Sequence, residues 1–175
     1  MKMADRPIIK LEWSAMDKIM EGLGFLALVL LLVLPIYFYS ELPDRIPRHY
    51  DASGQVTAYG GKGMIWLMPI MGLITYAGLF FLNKVPHIFN YPTAITPENA
   101  EKQYRGATRM MRTLNLAIVF IFLYLTYSTI QTSLGVQEGV GEFFMGVAMG
   151  LLTTIIVIYL AWSLKKPKGT NVRTN

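Results

Sequence analysis

The sequence predicts an all-α integral membrane protein: a four-helix transmembrane bundle with a structured extracytoplasmic loop and a cytoplasmic amphipathic helix. Three observations predict this class. Hydrophobic residues make up 53% of the 175 residues, and charged residues only 15%. Four long stretches carry no charge at all, each matching the roughly 20 residues that a helix needs to cross about 30 Å of hydrocarbon. Basic residues are concentrated in alternate connecting segments, as in multi-pass membrane proteins.

The four predicted spans are charge-free, and we place them within a single membrane domain, residues 1–175. They cover residues 22–40, 63–83, 113–134 and 143–164. About 20 residues that include several acids precede the first run, which also lacks a small-x-small cleavage site. We therefore expect it to stay as a signal anchor and not to be removed as a signal peptide.

The basic residues predict the orientation. Thirteen of the sixteen lie in the N-terminal tail, between spans two and three, or in the C-terminal tail. By the positive-inside rule both termini are cytoplasmic, in a bacterial inner membrane, and loop 41–62 lies outside. The net charge of +5 then reflects topology, so we expect membrane lipids and no nucleic acid among the partners. The C-terminal residues after 164 are expected to form a disordered tail.

Loop 41–62 is the most informative part of the chain. Pro43 and Pro47 fix their own φ and favour extended geometry in the residues before them. Asp51 and Gly54 give a turn signal. The candidate residues for recognising a ligand or partner lie in this loop: Pro43, Asp44, Arg45, Pro47, Arg48, His49, Asp51 and Gly54. The alternative is that the loop is only a stiff cap over the bundle.

A second structured segment is predicted on the cytoplasmic side. Thr96 followed by Pro97 is typical of a helix start, with threonine as N-cap and proline at the first helical position. A helix over residues 97–112 places four basic side chains on one face: Lys102, Arg105, Arg109 and Arg112. This basic face either docks a partner or anionic lipid, or serves only as an orientation signal on the inner leaflet. By contrast, the glycine-rich loop 133–142 is expected to be a flexible connector.

The sequence offers no support for catalysis. No predicted span contains an ionisable residue, the usual sign of transport or catalysis within a membrane. There is no cysteine, no glycine-rich phosphate loop and no nucleophile motif. The two histidines, His49 and His87, are expected on opposite faces of the membrane and cannot share a metal. We therefore expect a protein that is not an enzyme, with no cofactor and no metal site.

Two blocks of sequence resemble a known family. The first is Leu42-Pro43-Asp44-x-Ile46-Pro47-x-His49, followed by Gly54 and by Gly61-Lys62. The second runs from Asn90-Tyr91-Pro92 through Thr96-Pro97-Glu98 to Tyr104-Arg105. Together they resemble a bacterial membrane domain of unknown function that is shared with SdpI-type immunity proteins, which protect producing cells from a secreted toxic peptide. The resemblance covers roughly residues 15–125 and implies no catalytic residues.

These observations predict a protein that binds an extracytoplasmic toxin peptide or a membrane protein partner, in immunity or sensing. Binding outside would shift the packing of spans one and two, and the basic helix would pass this change on as the output on the cytoplasmic side. Two alternatives remain open. One is a small transporter or channel subunit that works as a homo-oligomer, and the other is a structural accessory subunit of a membrane complex.

Overall fold

A computed structural model describes residues 6–165 of the chain. The predicted C-terminal tail lies outside the described residues. Within these residues the chain forms four α-helices and one β-hairpin. In order they are α1 (Ala15–Phe38), β1 (Arg45–Tyr50), β2 (Val56–Gly61), a 3₁₀ segment (Lys62–Trp66), α2 (Leu67–Leu82), a second 3₁₀ segment (Pro86–Ile88), α3 (Ala100–Ser133) and α4 (Phe144–Ser163).

In the described part of the chain, four helical segments are long and apolar enough to cross a membrane: 15–38, 62–82, 100–133 and 144–163. Between 6% and 33% of the most apolar window of each segment is buried inside the chain. Large side chains such as Phe25, Ile36 and Val147 are therefore more than half exposed. Apolar surface on this scale is costly in water and suits contact with lipid tails. The prediction of four transmembrane helices is confirmed at this level.

Helix α1 begins seven residues before the first predicted span. Its start is fixed by a capping box at Ser14, whose hydroxyl accepts a hydrogen bond from the backbone N–H of Asp17. In return, the Asp17 carboxylate accepts one from the backbone N–H of Ser14 at 2.8 Å. Such reciprocal bonds satisfy two donors that a helix end otherwise leaves unpaired. The charged turn ahead of the apolar run is therefore helical too.

Helix α3 is the centre of the molecule and packs against α1, α2 and α4. It is one continuous helix, and it takes in most of the predicted helix 97–112 together with nearly all of the predicted span 113–134. Its 34 residues extend about 51 Å at 1.5 Å per residue, well beyond the hydrocarbon thickness. The basic first part can continue the span without a break because nothing in that stretch ends the helix.

The start of α3 also differs from the prediction. Pro97 to Asn99 form a turn, and the helix begins at Ala100. Thr96 acts there through its backbone: its N–H donates to the side-chain oxygen of Asn99, and its carbonyl accepts from the N–H of Ala100. The predicted threonine cap is replaced by this asparagine-closed turn.

The helix-packing core lies where α1 and α3 face each other. Leu28 and Leu31 of α1 are buried against Val119 of α3. Helix α2 approaches α1 closely at Gly72, because glycine has no side chain there; a Cβ at this position would collide with the side chain of Leu31. Helix α4 contributes little to this core and packs mainly on α3.

The loop between α1 and α2 folds as a two-stranded antiparallel hairpin, β1 paired with β2. The fold is therefore mostly helical, and the all-α prediction is wrong for this segment. Two irregularities in the strand pairing flank His49. Ile46 is fully buried at the hairpin base with Leu42, Ile65 and Ile130, which anchors the hairpin on the ends of the helices.

The loop between α3 and α4 is packed against the turn of this hairpin, contrary to the flexible connector that its glycines predicted. Val140 is fully buried, and its N–H donates to the carbonyl of Gly54 at 2.9 Å. Gly139 and Gly54 take positive φ, and a Cβ on either would collide with the other segment's backbone. The glycines therefore permit a close contact between two backbones.

Candidate functional site

The hairpin turn is organised by Asp51. Its carboxylate accepts hydrogen bonds from the Ser53 hydroxyl at 2.7 Å and from the backbone N–H groups of Ser53 and Gln55. These bonds, the Ser53 hydroxyl first, hold the pKa of Asp51 below its ordinary value of 3.8. The turn is therefore preorganised while the carboxylate is ionised.

Tyr50 ties the hairpin to the helix behind it. Its hydroxyl lies 2.9 Å from the hydroxyl of Thr129 on α3. Burial raises the pKa of Tyr50 above its usual value, which keeps the phenol neutral. A polar contact of this kind fixes the distance between β1 and α3.

A cavity of about 250 Å³ lies between the hairpin and the helices. We call it the hairpin pocket. Its walls come from β1, from the start of the second span, and from α3 and α4: Pro47, Arg48, His49, Tyr50, Met64, Ile65, Leu67, Met68, Leu125, Thr126, Thr129 and Met145. Three methionines and several branched side chains make it mostly apolar. Methionine adapts its shape easily, which is common in binding surfaces that accept varied side chains.

One polar atom in the hairpin pocket has no partner. Thr126 is 1% exposed, and among residues 6–165 its hydroxyl forms no hydrogen bond. A buried hydroxyl without a partner costs about 1–3 kcal/mol, and most buried polar groups in proteins avoid this cost. Because Thr126 lines the hairpin pocket, a ligand that reached this buried hydroxyl would supply the missing hydrogen bond.

The structure brings together three of the eight predicted recognition residues. Pro47, Arg48 and His49 line the hairpin pocket, and Nδ1 of His49 lies 2.6 Å from the hydroxyl of Thr57 on the facing strand. Asp51 and Gly54 build the turn. The other three, Pro43, Asp44 and Arg45, are exposed at the hairpin base and do not line the pocket. In the part of the chain that the structure describes, no three histidine or acidic side chains converge as a metal site requires.

The opposite end of the molecule holds a charge cluster that the sequence analysis missed. Arg112 of α3 is buried and contacts two acids of α1, Asp17 at 3.2 Å and Glu21 at 3.1 Å. The guanidinium also lies 5.0 Å from the centre of the Trp13 ring. The hydroxyl of Tyr76 donates to Glu21 at 3.3 Å. We call this group the buried ion cluster; it joins α1, α2 and α3.

The predicted basic face is thus divided among several contacts. Arg105 pairs with Glu101 one turn earlier, and Arg109 lies 3.7 Å from Asp17. Lys102 stacks over the Trp162 ring of α4 at 5.5 Å. The signal for the cluster was present in the sequence: two acids four residues apart on one helix and two arginines three apart on another, each pair just before an apolar run.

The fold and the apolar helices define a class, a multi-pass α-helical membrane protein. Residues 26–73 match a family described as a domain of unknown function, DUF1648. The matched segment runs from α1 through the whole hairpin into α2, so it is centred on the candidate site. The chain is also 28% identical over 78 residues to an uncharacterized protein of Archaeoglobus fulgidus, a match that covers 40% of this chain and 43% of that protein. No solved structure matches the chain.

Proposed function

We propose that this chain is a protein of the bacterial inner membrane, with both termini in the cytoplasm, and that it binds an extracytoplasmic peptide or membrane partner at the hairpin pocket. Its role would be immunity or sensing, as the resemblance to SdpI-type immunity proteins implies. The observation that carries this proposal is the cavity beneath the hairpin, with Thr126, whose buried hydroxyl is unpartnered, among its lining residues. Binding is proposed in preference to catalysis, since the lining of the pocket is mostly apolar and suits contact with a ligand.

The lining of the hairpin pocket defines the chemistry of a suitable ligand. An apolar side chain fits among Met64, Met68 and Met145, and a ligand hydroxyl or carbonyl can bond Thr126. Arg48 is exposed at the edge of the pocket, where it can pair with a carboxylate. A peptide with an apolar side chain beside an acidic residue or its C-terminal carboxylate satisfies all three conditions.

Protection assays test the proposal directly. Cells sensitive to the secreted Sdp toxic peptide would express the full chain, and survival would be compared with variants Arg48→Ala and Thr126→Val. Both variants are expected to lose protection, because each removes one polar contact to the ligand. Thr126→Val keeps the shape of the side chain and removes an unsatisfied hydroxyl, so folding should not suffer.

Arg45→Ala is the matched control, an exposed arginine three residues earlier in the same strand and outside the pocket. It should protect as well as the unchanged chain. Full protection by Arg48→Ala and Thr126→Val, at membrane levels equal to the control, would rule out the hairpin pocket as the binding site. Protection by none of the chains, the unchanged one included, would rule out immunity to this peptide.

One observation favours a second candidate, the small oligomeric transporter or channel subunit. Helix α3 buries three polar atoms that have no partner among residues 6–165, on Asn115, Thr126 and Ser128. Polar groups buried along one helix can line a path for a solute within the helix bundle of each copy in an oligomer. Ion or solute flux in proteoliposomes, removed by Asn115→Leu, would support this function over binding alone.

A further inference from the structure

A second cavity, of about 240 Å³, lies at the end of the molecule opposite the hairpin. The N-terminal segment covers it with Lys10 and Trp13, the end of the second span supplies Phe80, Asn83 and Lys84, and Arg112 closes it from α3. Tryptophan and lysine at the end of an apolar span are typical of the headgroup level of a membrane. The cavity therefore lies where lipid phosphates lie.

Asn83 is the unusual side chain in this cavity. It is 8% exposed, and neither its amide nitrogen nor its amide oxygen has a hydrogen-bond partner in residues 6–165. A buried amide left unpaired on both sides is destabilising in the empty protein. The amide of Asn83 carries an NH₂ donor and a carbonyl acceptor side by side. A ligand that satisfies both therefore needs a hydrogen-bond acceptor next to a hydrogen-bond donor.

The charges around the cavity favour an anion. Arg112 faces two acids, Asp17 and Glu21, and Lys10 and Lys84 add two further positive charges at the cavity wall. These five side chains together carry one net positive charge. Nζ of Lys84 is held 4.8 Å from the centre of the Phe80 ring. The C-terminal end of α2 adds only about half a negative charge, so the charge around the cavity stays positive.

We infer that this cavity binds a phosphate ester that also carries a hydroxyl or ammonium donor. The phosphate oxygens would accept from Lys10, Lys84 and the amide nitrogen of Asn83, and the donor of the ligand would bond the amide oxygen of Asn83. Phospholipid headgroups and soluble glycerol phosphates share this chemistry. The volume is below the roughly 300 Å³ of pockets for drug-sized ligands and suits a headgroup of this size.

The full chain, purified in detergent and freed of lipid, provides the test. Thermal unfolding is measured with dioleoyl phosphatidylglycerol, with dioleoylglycerol, which has the same chains and no phosphate, and with glycerol 3-phosphate. Phosphatidylglycerol is expected to raise the midpoint, and dioleoylglycerol is not. An equal rise with both lipids would overturn the inference. If glycerol 3-phosphate also raises the midpoint, the site is assigned to soluble phosphate esters. If phosphatidylglycerol raises the midpoint and glycerol 3-phosphate does not, the site is assigned to lipids.

Two variants and two controls assign the effect to the cavity. Asn83→Leu should weaken binding about tenfold, the effect of losing a hydrogen bond to a charged group, while the empty protein becomes more stable. Lys10→Gln should weaken it about fivefold. Asn90→Leu and Lys18→Gln repeat both changes at exposed positions outside the cavity and should leave binding unchanged. Unchanged binding in Asn83→Leu, or an equal loss in Lys18→Gln, would refute the site.

Discussion

The buried ion cluster makes the sharpest prediction about stability. Replacing Arg112 by methionine keeps a long side chain of similar reach and removes the charge between Asp17 and Glu21. The side chains of Arg112, Asp17 and Glu21 are 6%, 3% and 10% exposed, so water cannot solvate the two carboxylates that remain. Arg112→Met is therefore expected to destabilise the fold strongly.

The magnitude follows from the burial. Removing one partner of a buried ion pair costs about 3–5 kcal/mol, because an uncompensated charge remains. Arg109 lies 3.7 Å from Asp17 but is itself about half exposed, and it can compensate one of the two acids in part. We therefore expect about 3 kcal/mol, the lower end of the range, which is roughly a hundredfold change in the folding equilibrium.

Arg105→Met is the matched control, the same substitution two turns earlier in α3. Its partner Glu101 is 65% exposed, and an exposed pair of this kind contributes about 0.2–1 kcal/mol. Unfolding by sodium dodecyl sulfate in mixed micelles, followed by tryptophan fluorescence, gives both free energies. A loss of stability in Arg112→Met no greater than in Arg105→Met would refute the stabilising role of the buried arginine. Neutralising the acids as well, with Asp17→Asn and Glu21→Gln, should recover most of the loss.

Three further predictions concern the hairpin and α4. Gly54→Ala should lower the free energy of unfolding by about 1–3 kcal/mol, because φ is +79° there and a Cβ would collide with the α3–α4 loop. Gly61→Ala should have little effect in the same micelle unfolding experiment, because a Cβ at Gly61 would meet no other atom. Because the pKa of Asp51 is lowered from 3.8, the contribution of its carboxylate is complete above that pH and is lost as pH falls through the lowered pKa. Pepsin cleavage in the hairpin should rise there, and Asp51→Asn should remove that pH dependence. Gly106→Ala would collide with the Trp162 ring and should loosen α4 by about 1–3 kcal/mol, seen as a shift in Trp162 fluorescence.

All four transmembrane helices could be located from the sequence, because about 20 consecutive residues without a charge match the length needed to cross the hydrocarbon core. The same rule did not show where two of the helices begin. It started the first span after Glu21 and the third after Arg112, whereas α1 and α3 begin earlier, and these two residues pair with each other in the structure. A rule that treats each charge separately cannot foresee a pair formed by residues 91 positions apart. Helix boundaries set by charge fail where ion pairs form between helices.

The hairpin was recognisable only in part. The turn at Asp51 and Gly54 was predicted, and two short runs flanking a glycine-containing turn are themselves a hairpin signal. A proline such as Pro47 weakens a strand signal in general, since proline cannot donate to a ladder. A two-stranded ribbon has only edge strands, so proline is tolerated there. The contact between Gly54 and the α3–α4 loop joins segments 86 residues apart, and nothing local in either glycine indicates a partner.

The placement of the hairpin pocket changes the expected route from binding to output. Its walls come from β1, the second span, α3 and α4, and none comes from α1. Thr129 and Arg112 lie on the same unbroken helix, about 25 Å apart at 1.5 Å per residue. A ligand that displaces the Tyr50–Thr129 contact would therefore act first on α3, and α3 could move relative to α1 only by straining the buried ion cluster. If coupling runs through α3, Arg112→Met should change the affinity for a ligand at the hairpin pocket. This change should be larger than the one that the lower fraction of folded protein causes. A shift of spans one and two alone would leave that affinity unchanged.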